Sequence, residues 1–185
     1  TIGEVEVTEF RRSSDGMQSF GTDVLKTSPD VSGGSVEAMI STMAGVNSSN
    51  EMSSQYSVRG GSYDENSVYI NGVEIYRPQL VRSGQQEGLS IINPDMVGNI
   101  KFSTGGFPAQ YSDKMSSVLD ITYREPEALE GSASFSLMGA SLAFGQNSGK
   151  FSQLHGIRFK KNNSLLTSLE TKGEYDPLYF DYQTS

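Results

Sequence analysis

His155 is the only histidine and there is no cysteine, so a histidine-based metal site, a thiolate nucleophile and a disulfide framework all lack material. The absence of cysteine leaves the redox compartment open. There is no G-x-S-x-G elbow, no H-E-x-x-H, no C-x-x-C and no G-x-x-x-x-G-K phosphate loop. Asp64-Glu65-Asn66 offers oxygen ligands without the spacing of a calcium loop, and reads as a solvated acidic loop. Asp113 and Asp120 stand seven apart with nothing to converge them as an acid/base pair. His155 shares its phase with Phe151, Ile157 and Phe159, which suits a surface or lumen position rather than a ligand. Arg59 abuts Gly60-Gly61, and Arg124 ends an apolar strand. Leaving a buried charge unpaired costs about 3–5 kcal/mol, and no local partner is evident. Either these arginines reach solvent or they face a surface that this chain lacks. The residues therefore predict no enzyme, no cofactor and no metal.

The elements around these residues are turn-rich. Gly numbers 20 and hydrophobic residues make up 35%, a balance that favours β structure over a helical bundle. The net charge of −8 argues against nucleic acid as a partner. It is unevenly spread: residues 1–131 carry 18 acidic and 9 basic side chains, and residues 132–185 carry 4 and 5. That shift divides the chain into 1–130 and 131–185. No apolar run reaches 18 residues, which excludes a transmembrane helix but not barrel strands. Thr1 and the lack of a basic-then-apolar leader suggest a mature or excised segment.

Gln55–Pro78 carries the strongest local signals. Asn71-Gly72 between Val68-Tyr69-Ile70 and Val73-Glu74-Ile75 predicts a hairpin with a type I′ turn. Gly3–Phe10 alternates as an opening strand, and Arg11–Asp30 reads as an irregular connection. Val36, Met39, Ile40 and Met43 predict a helix over Ser35–Ala44, capped by Ser35 and stopped at Gly45. Gln79–Gly88 reads as an exposed polar loop. Asn93-Pro94-Asp95 predicts a short helix ending at Gly98, then a strand through Ile100 and Phe102 and another from Val118 to Tyr123. The expectation for 1–130 is α+β: a small mixed sheet with short helices.

Residues 132–185 alternate differently. Ala133, Phe135 and Leu137 face away from Ser132, Ser134 and Ser136, and the apolar phase moves to Ala140, Leu142 and Phe144 after Gly139. A phase shift at glycine suggests a bulge. Gly145–Gly149 reads as a loop, and Phe151–Lys160 and Leu165–Lys172 as two further runs. Patterning leaves two readings, a transmembrane barrel wall or a soluble antiparallel meander.

Together these motifs resemble the plug domain of TonB-dependent outer-membrane receptors over residues 3–126. The resemblance rests on the opening strand and helix, Tyr56-Ser57-Val58-Arg59-Gly60, Val68-Tyr69-Ile70-Asn71-Gly72-Val73, Gly105-Gly106-Phe107-Pro108-Ala109-Gln110-Tyr111, and Ser117–Tyr123 before Arg124-Glu125-Pro126. Four motifs in family order are specific where one is weak. GGFPAQY and SSVLDI look most like receptors of Bacteroidetes-type bacteria. Ser112 stands where the family often has glycine. The segment that recruits the energy-coupling protein is not found, and is expected before this chain.

The resemblance implies that 131–185 are antiparallel strands from the start of a transmembrane β-barrel, with the plug in its lumen in the outer membrane. It implies that Arg59 and Arg124 pair with acids on the barrel's inner wall. Gly60, Gly61, Asn71, Gly72, Gly105, Gly106, Phe107, Pro108, Ala109 and Tyr111 form the motif turns. By family position Gly60–Glu65 and Tyr76–Glu87 are outward loops, with Ser62, Tyr63, Asp64, Glu65, Tyr76, Arg77, Arg82 and Gln85 as candidate ligand-facing residues. The implied partners are the rest of the barrel, the TonB protein and a small nutrient: a siderophore, cobalamin, peptide or glycan. Three strands cannot close a barrel of about 22, so the fragment is expected to self-associate through open edges. The alternatives are a signal-transducing receptor of the same family and a soluble secreted binding or adhesion module.

Overall fold

The computed structural model describes residues 16–27, 35–48, 54–76, 78, 82–83, 86–87, 90–111, 115–136, 139–161 and 178–185. The expected strand Gly3–Phe10, the run Leu165–Lys172, Arg77, Gln85, Ser112 and Asp113 lie outside these residues.

The first half is an α+β unit, as its patterning implies. Strand β1 (Gln18–Gly21) leads into α1 (Thr22–Thr27), and α2 is Val36–Ser41. Arg11–Asp30 is therefore not wholly irregular. α2 starts where predicted, with Ser35 Oγ accepting from Ala38 N at 3.0 Å. It stops at Thr42 rather than Gly45, because the Thr42 N–H turns back to Met39 O and Ile40 O. The short strands β2 (Val46–Asn47) and β3 (Ser57–Val58) pair antiparallel. β4 (Asn66–Ile70) and β5 (Val73–Glu74) form the expected hairpin. Asn71 (φ 50°) and Gly72 (φ 77°) both take the left-handed backbone that a type I′ turn demands. Within the expected polar loop, β6 (Arg82–Ser83) and β7 (Gln86–Glu87) make a small hairpin.

Asn93 caps only a single 3-10 turn, Pro94–Met96, by accepting from Asp95 N at 3.1 Å. The predicted helix does not continue, because strand β8 (Val97–Ser103) begins at once. Gly98 falls inside β8 at a register shift, where a Cβ would sit 2.8 Å from the Arg124 Cα. β9 is Ser117–Tyr123. The five-stranded sheet runs β1-β8-β9-β4-β5, with β4 and β9 parallel and the other pairs antiparallel.

The alternation of β8 and β9 sends Ile100, Phe102, Leu119 and Ile121 into one core with Val36, Met39 and Ile40 of α2. Each such side chain contributes roughly 1.5–3 kcal/mol by leaving water. A second cluster on the opposite phase joins Met17, Tyr69, Tyr111 and Val118, with Phe107 packed against it.

The second half is a four-stranded antiparallel sheet: β10 (Glu130–Ser136), β11 (Gly139–Asn147), β12 (Ser152–Lys161) and β13 (Leu178–Thr184). The phase shift at Gly139 is not a bulge in one strand. Ser136 pairs with Gly139, so the shift marks a hairpin between two strands. β11 also continues through the supposed loop to Asn147, and β13 lies beyond the runs read from the sequence.

Candidate functional site

The register gives the second sheet two unlike faces. Ala133, Leu142, Ile157 and Tyr182 align across the strands, as do Phe135, Ala140, Phe159 and Phe180. Phe135, Leu142, Ile157, Phe159, Phe180 and Tyr182 are all exposed. His155 belongs to this outer face, with Nδ1 2.8 Å from Tyr182 Oη and the rings stacked. The other face carries Ser134, Ser141, Gly156, Arg158 and Asp181, and it covers the first half.

This seam is built on the corner Ser90–Met96. Gly156 leaves space for that corner: a Cβ there would meet Asn93 Nδ2 and lie 2.6 Å from Met96 Sδ. Both Asn93 and Met96 are fully buried. Ser141 Oγ donates to Asp95 Oδ2. Arg158 is 4% exposed. Its Nη1 donates to Ile92 O at 2.6 Å, and its Nη2 to Ser90 O at 3.0 Å and Ile91 O at 3.2 Å. Nε donates to Asp181 Oδ1 at 2.9 Å from the neighbouring strand. Gln183 Nε2 reaches Ile91 O at 2.5 Å, while Gln183 Oε1 accepts from Tyr123 Oη at 3.0 Å.

Arg124 lies in the same corner. Its Nε donates to Asp95 O at 3.0 Å, and Nη1 pairs with Glu130 Oε1. Its partner is thus local, six residues on, at the first residue of β10. Arg59 lies on another turn, directly after β3. It is exposed, takes φ 51°, and donates from Nη2 to Thr104 Oγ1 at 3.3 Å. This brings the Arg59-Gly60 turn (Gly60 φ 81°) beside Gly105 (φ 126°) and Gly106 (φ 77°).

The remaining motif residues mostly brace loops. Tyr111 is buried and its hydroxyl donates to Asp120 Oδ2 at 2.6 Å; Pro108 is half-buried and Ala109 exposed. Gly61 lies against Glu65 and Ser116, and Ser116 Oγ donates to Glu65 Oε2 at 2.5 Å. Asn66 bridges Tyr56 O and Ser117 Oγ. Glu65 and Asn66 are therefore occupied as braces, and no group of three metal-ligating side chains forms among the described residues. Ser62, Tyr63, Asp64 and Tyr76 are exposed. The strand Arg82–Ser83 is described by its backbone.

Three titrating groups are perturbed in the first half. Burial pushes Glu37 on α2 above the ordinary carboxylate range, opposed by a hydrogen bond to Ser90 and the charges of Arg158 and Lys160. Burial also raises Tyr56 and Tyr123. Sequence reasoning passed over Glu37, Arg158, Asp181 and Gln183. Arg158 had a signal: it shares its phase with Leu154 and Gly156, opposite an apolar face.

A profile of the TonB-dependent receptor plug domain matches residues 11–118, more than half of the chain. No curated protein matches. Among solved structures, a double mutant of the ferric enterobactin receptor PfeA from Pseudomonas aeruginosa is 18% identical, with a TM-score of 0.59 over 83% of this chain and 25% of its own. Another PfeA variant is 20% identical, with a TM-score of 0.57 over 83% and 25%. The outer membrane transporter YddB from Escherichia coli is 12% identical, with a TM-score of 0.59 over 80% and 26%. These identities speak for a shared fold, and the chain spans about a quarter of those receptors' length. The chain belongs to the TonB-dependent receptor plug domain family.

Proposed function

We propose that this chain is the plug, 1–130, and the opening wall strands, 131–185, of a receptor that admits a scarce nutrient across the outer membrane. The observation that carries this reading is the two-faced sheet. Its outer face exposes phenylalanine, leucine and isoleucine, as a wall against lipid does, and its inner face seats on the plug. Proteins of this family reside in the outer membrane and are transport proteins rather than enzymes.

The plug closes the lumen, and force from the TonB protein, applied through a segment preceding this chain, remodels it. Gly60–Glu65 and Tyr76–Glu87 form the ligand-facing side. Exposed tyrosines support this assignment: Tyr63 is 44% and Tyr76 79% accessible, and neither joins a core cluster. Arg59 faces an acid on a later wall strand, and Arg124 is held at the junction of plug and wall by Glu130, the first residue of β10. The cargo is a siderophore, cobalamin, peptide or glycan. The wording GGFPAQY and SSVLDI supports a Bacteroidetes-type receptor. The 185-residue chain alone self-associates through the edges of β10 and β13, so light scattering should show no monodisperse monomer.

The decisive experiment is expression of the receptor that carries this chain, followed by outer-membrane fractionation and uptake measurement. Growth on limiting nutrient should require it and should fall when Tyr63 and Tyr76 are both replaced by alanine. A soluble protein with no heat-resistant barrel band on a gel would refute the reading.

A further inference from the structure

We propose that Arg158 is a positioning residue that clamps the plug to the wall through main-chain carbonyls and keeps its own ion pair with Asp181 when the plug leaves. The inference rests on the plug-and-wall reading above. Arg158 lies on β12 and Asp181 directly across from it on β13, so the ion pair belongs wholly to the wall. Asp181 accepts from Nε at 2.9 Å and Nη2 at 3.0 Å, which fixes the plane of the guanidinium. The fork then points at three successive carbonyls of the plug, Ser90, Ile91 and Ile92. A guanidinium presents five N–H donors in a rigid plane, and a lysine ammonium could not serve both partners in this way.

The acceptors' neutrality gives the arrangement its mechanical sense. An ion pair shared between plug and wall would leave a bare charge on each when they part, a heavy cost in a confined lumen. Here the positive charge stays neutralised by Asp181 whether or not the plug is seated. The acceptors that the Arg158 fork gives up are carbonyls, and lumen water can satisfy them. Gln183 repeats the pattern, donating to Ile91 O while Asp181 Oδ2 accepts from it at 3.0 Å. Because the contacts go to backbone, their strength is insensitive to which side chains stand at 90–92.

The test uses the complete receptor in outer-membrane preparations. This chain contributes no cysteine, so Ile91→Cys gives a reporter whose carbonyl still serves as acceptor. Maleimide labelling of that cysteine measures how often the segment leaves the wall. The double substitution Arg158→Met with Asp181→Leu removes the clamp and leaves no charge stranded. It should retain the heat-resistant barrel band and raise the labelling rate about tenfold or more, the scale of one lost charge-assisted hydrogen bond. Arg158→Lys keeps Asp181 paired without the fork and should also label faster. Unchanged labelling in an assembled double variant overturns the assignment. Loss of the barrel band in that variant alone also overturns it, making Arg158 a wall-folding residue. Absence of the band in the unaltered receptor refutes the plug-and-wall reading itself.

Discussion

Gly156→Ala should unseat the plug although it adds only one methyl group. The new Cβ would stand 2.6 Å from Met96 Sδ and 3.1 Å from Met96 Cγ, and closer still to Asn93 Nδ2. Met96 and Asn93 are at 0% exposure, so neither can swing into solvent. Asn93 is further held by the hydrogen bond its Oδ1 accepts from Asp95 N, which caps the 3-10 turn. The seam must widen or both side chains must leave their rotamers. Overpacking of this kind costs about 1–3 kcal/mol. If that falls on the seated state, the unseated fraction rises roughly 5–150-fold. Gly131→Ala is the matched control, because its Cβ would meet only Ala143 O at an ordinary 3.7 Å. Its effect should stay within about 0.5 kcal/mol. Limited proteolysis of the receptor in detergent, titrated with urea, reads the unseated fraction through the rate of plug cleavage. Equal cleavage rates in the two alanine variants would show that the wall does not press on Met96, and the reasoning from close approach would fail.

Asn71→Ala should destabilise the plug by about 1–2 kcal/mol, since it puts a Cβ residue with no local hydrogen bond at φ 50° and removes the acceptor for Tyr123 N at 2.8 Å. Asn71→Asp keeps that acceptor and should cost less; equal urea midpoints for the two would refute the argument. Glu37→Gln should stabilise the plug at neutral pH. Burial raises the folded Glu37 above its ordinary 4.5, so the folded state binds the extra proton. Its favourable contribution is full below that value and is lost as pH rises through the folded pKa. Melting temperature should therefore fall with pH above 4.5 less steeply in the glutamine variant, and parallel curves would remove Glu37 as the cause. Glu130→Gln should cost only about 0.2–1 kcal/mol, because the pair with Arg124 is partly exposed, and the loss should shrink in high salt. Replacing Arg59 and Arg124 together in the receptor should speed plug proteolysis, and unchanged protection would show that they do not seat it.

The plug's architecture was legible wherever one local rule controlled the backbone. The I′ turn at Asn71-Gly72, the capped α2 and the alternation of β8 and β9 each follow from a turn requirement or a one-sided core. β1 was not legible, because Gln18–Gly21 holds a single buried apolar residue, Phe20, and is a strand by virtue of β8 beside it. The 3-10 turn at Pro94 shows the reverse error. Its cap and proline do start a turn, but a helix needs further turns, and the β8–β9 ladder claims the backbone from Val97. At Gly139 the sequence is ambiguous because alternation reverses phase equally at a bulge and at a tight hairpin, and only the pairing of Ser136 with Gly139 separates them.

The seam was the least legible part, and the reason is chemical. Sequence reasoning looked for arginines in the plug that needed acids in the wall. Besides the Arg124–Glu130 pair at the start of β10, the described seam has contacts that run the other way, from an arginine in the wall to carbonyls in the plug. Every residue has a carbonyl, so an interface that uses them leaves no complementary pattern in the plug sequence. Its trace survives only in the wall, as the alternation of Leu154, Gly156 and Arg158 against His155, Ile157 and Phe159. On such a strand the small residue marks where the plug approaches and the charged one marks what holds it. On the same face of β13, Gln183 donates to Ile91 O and Asp181 orients Arg158. Inward Gly156 beside inward Arg158, opposite an exposed apolar face, is therefore how β12 reveals its contact with the plug.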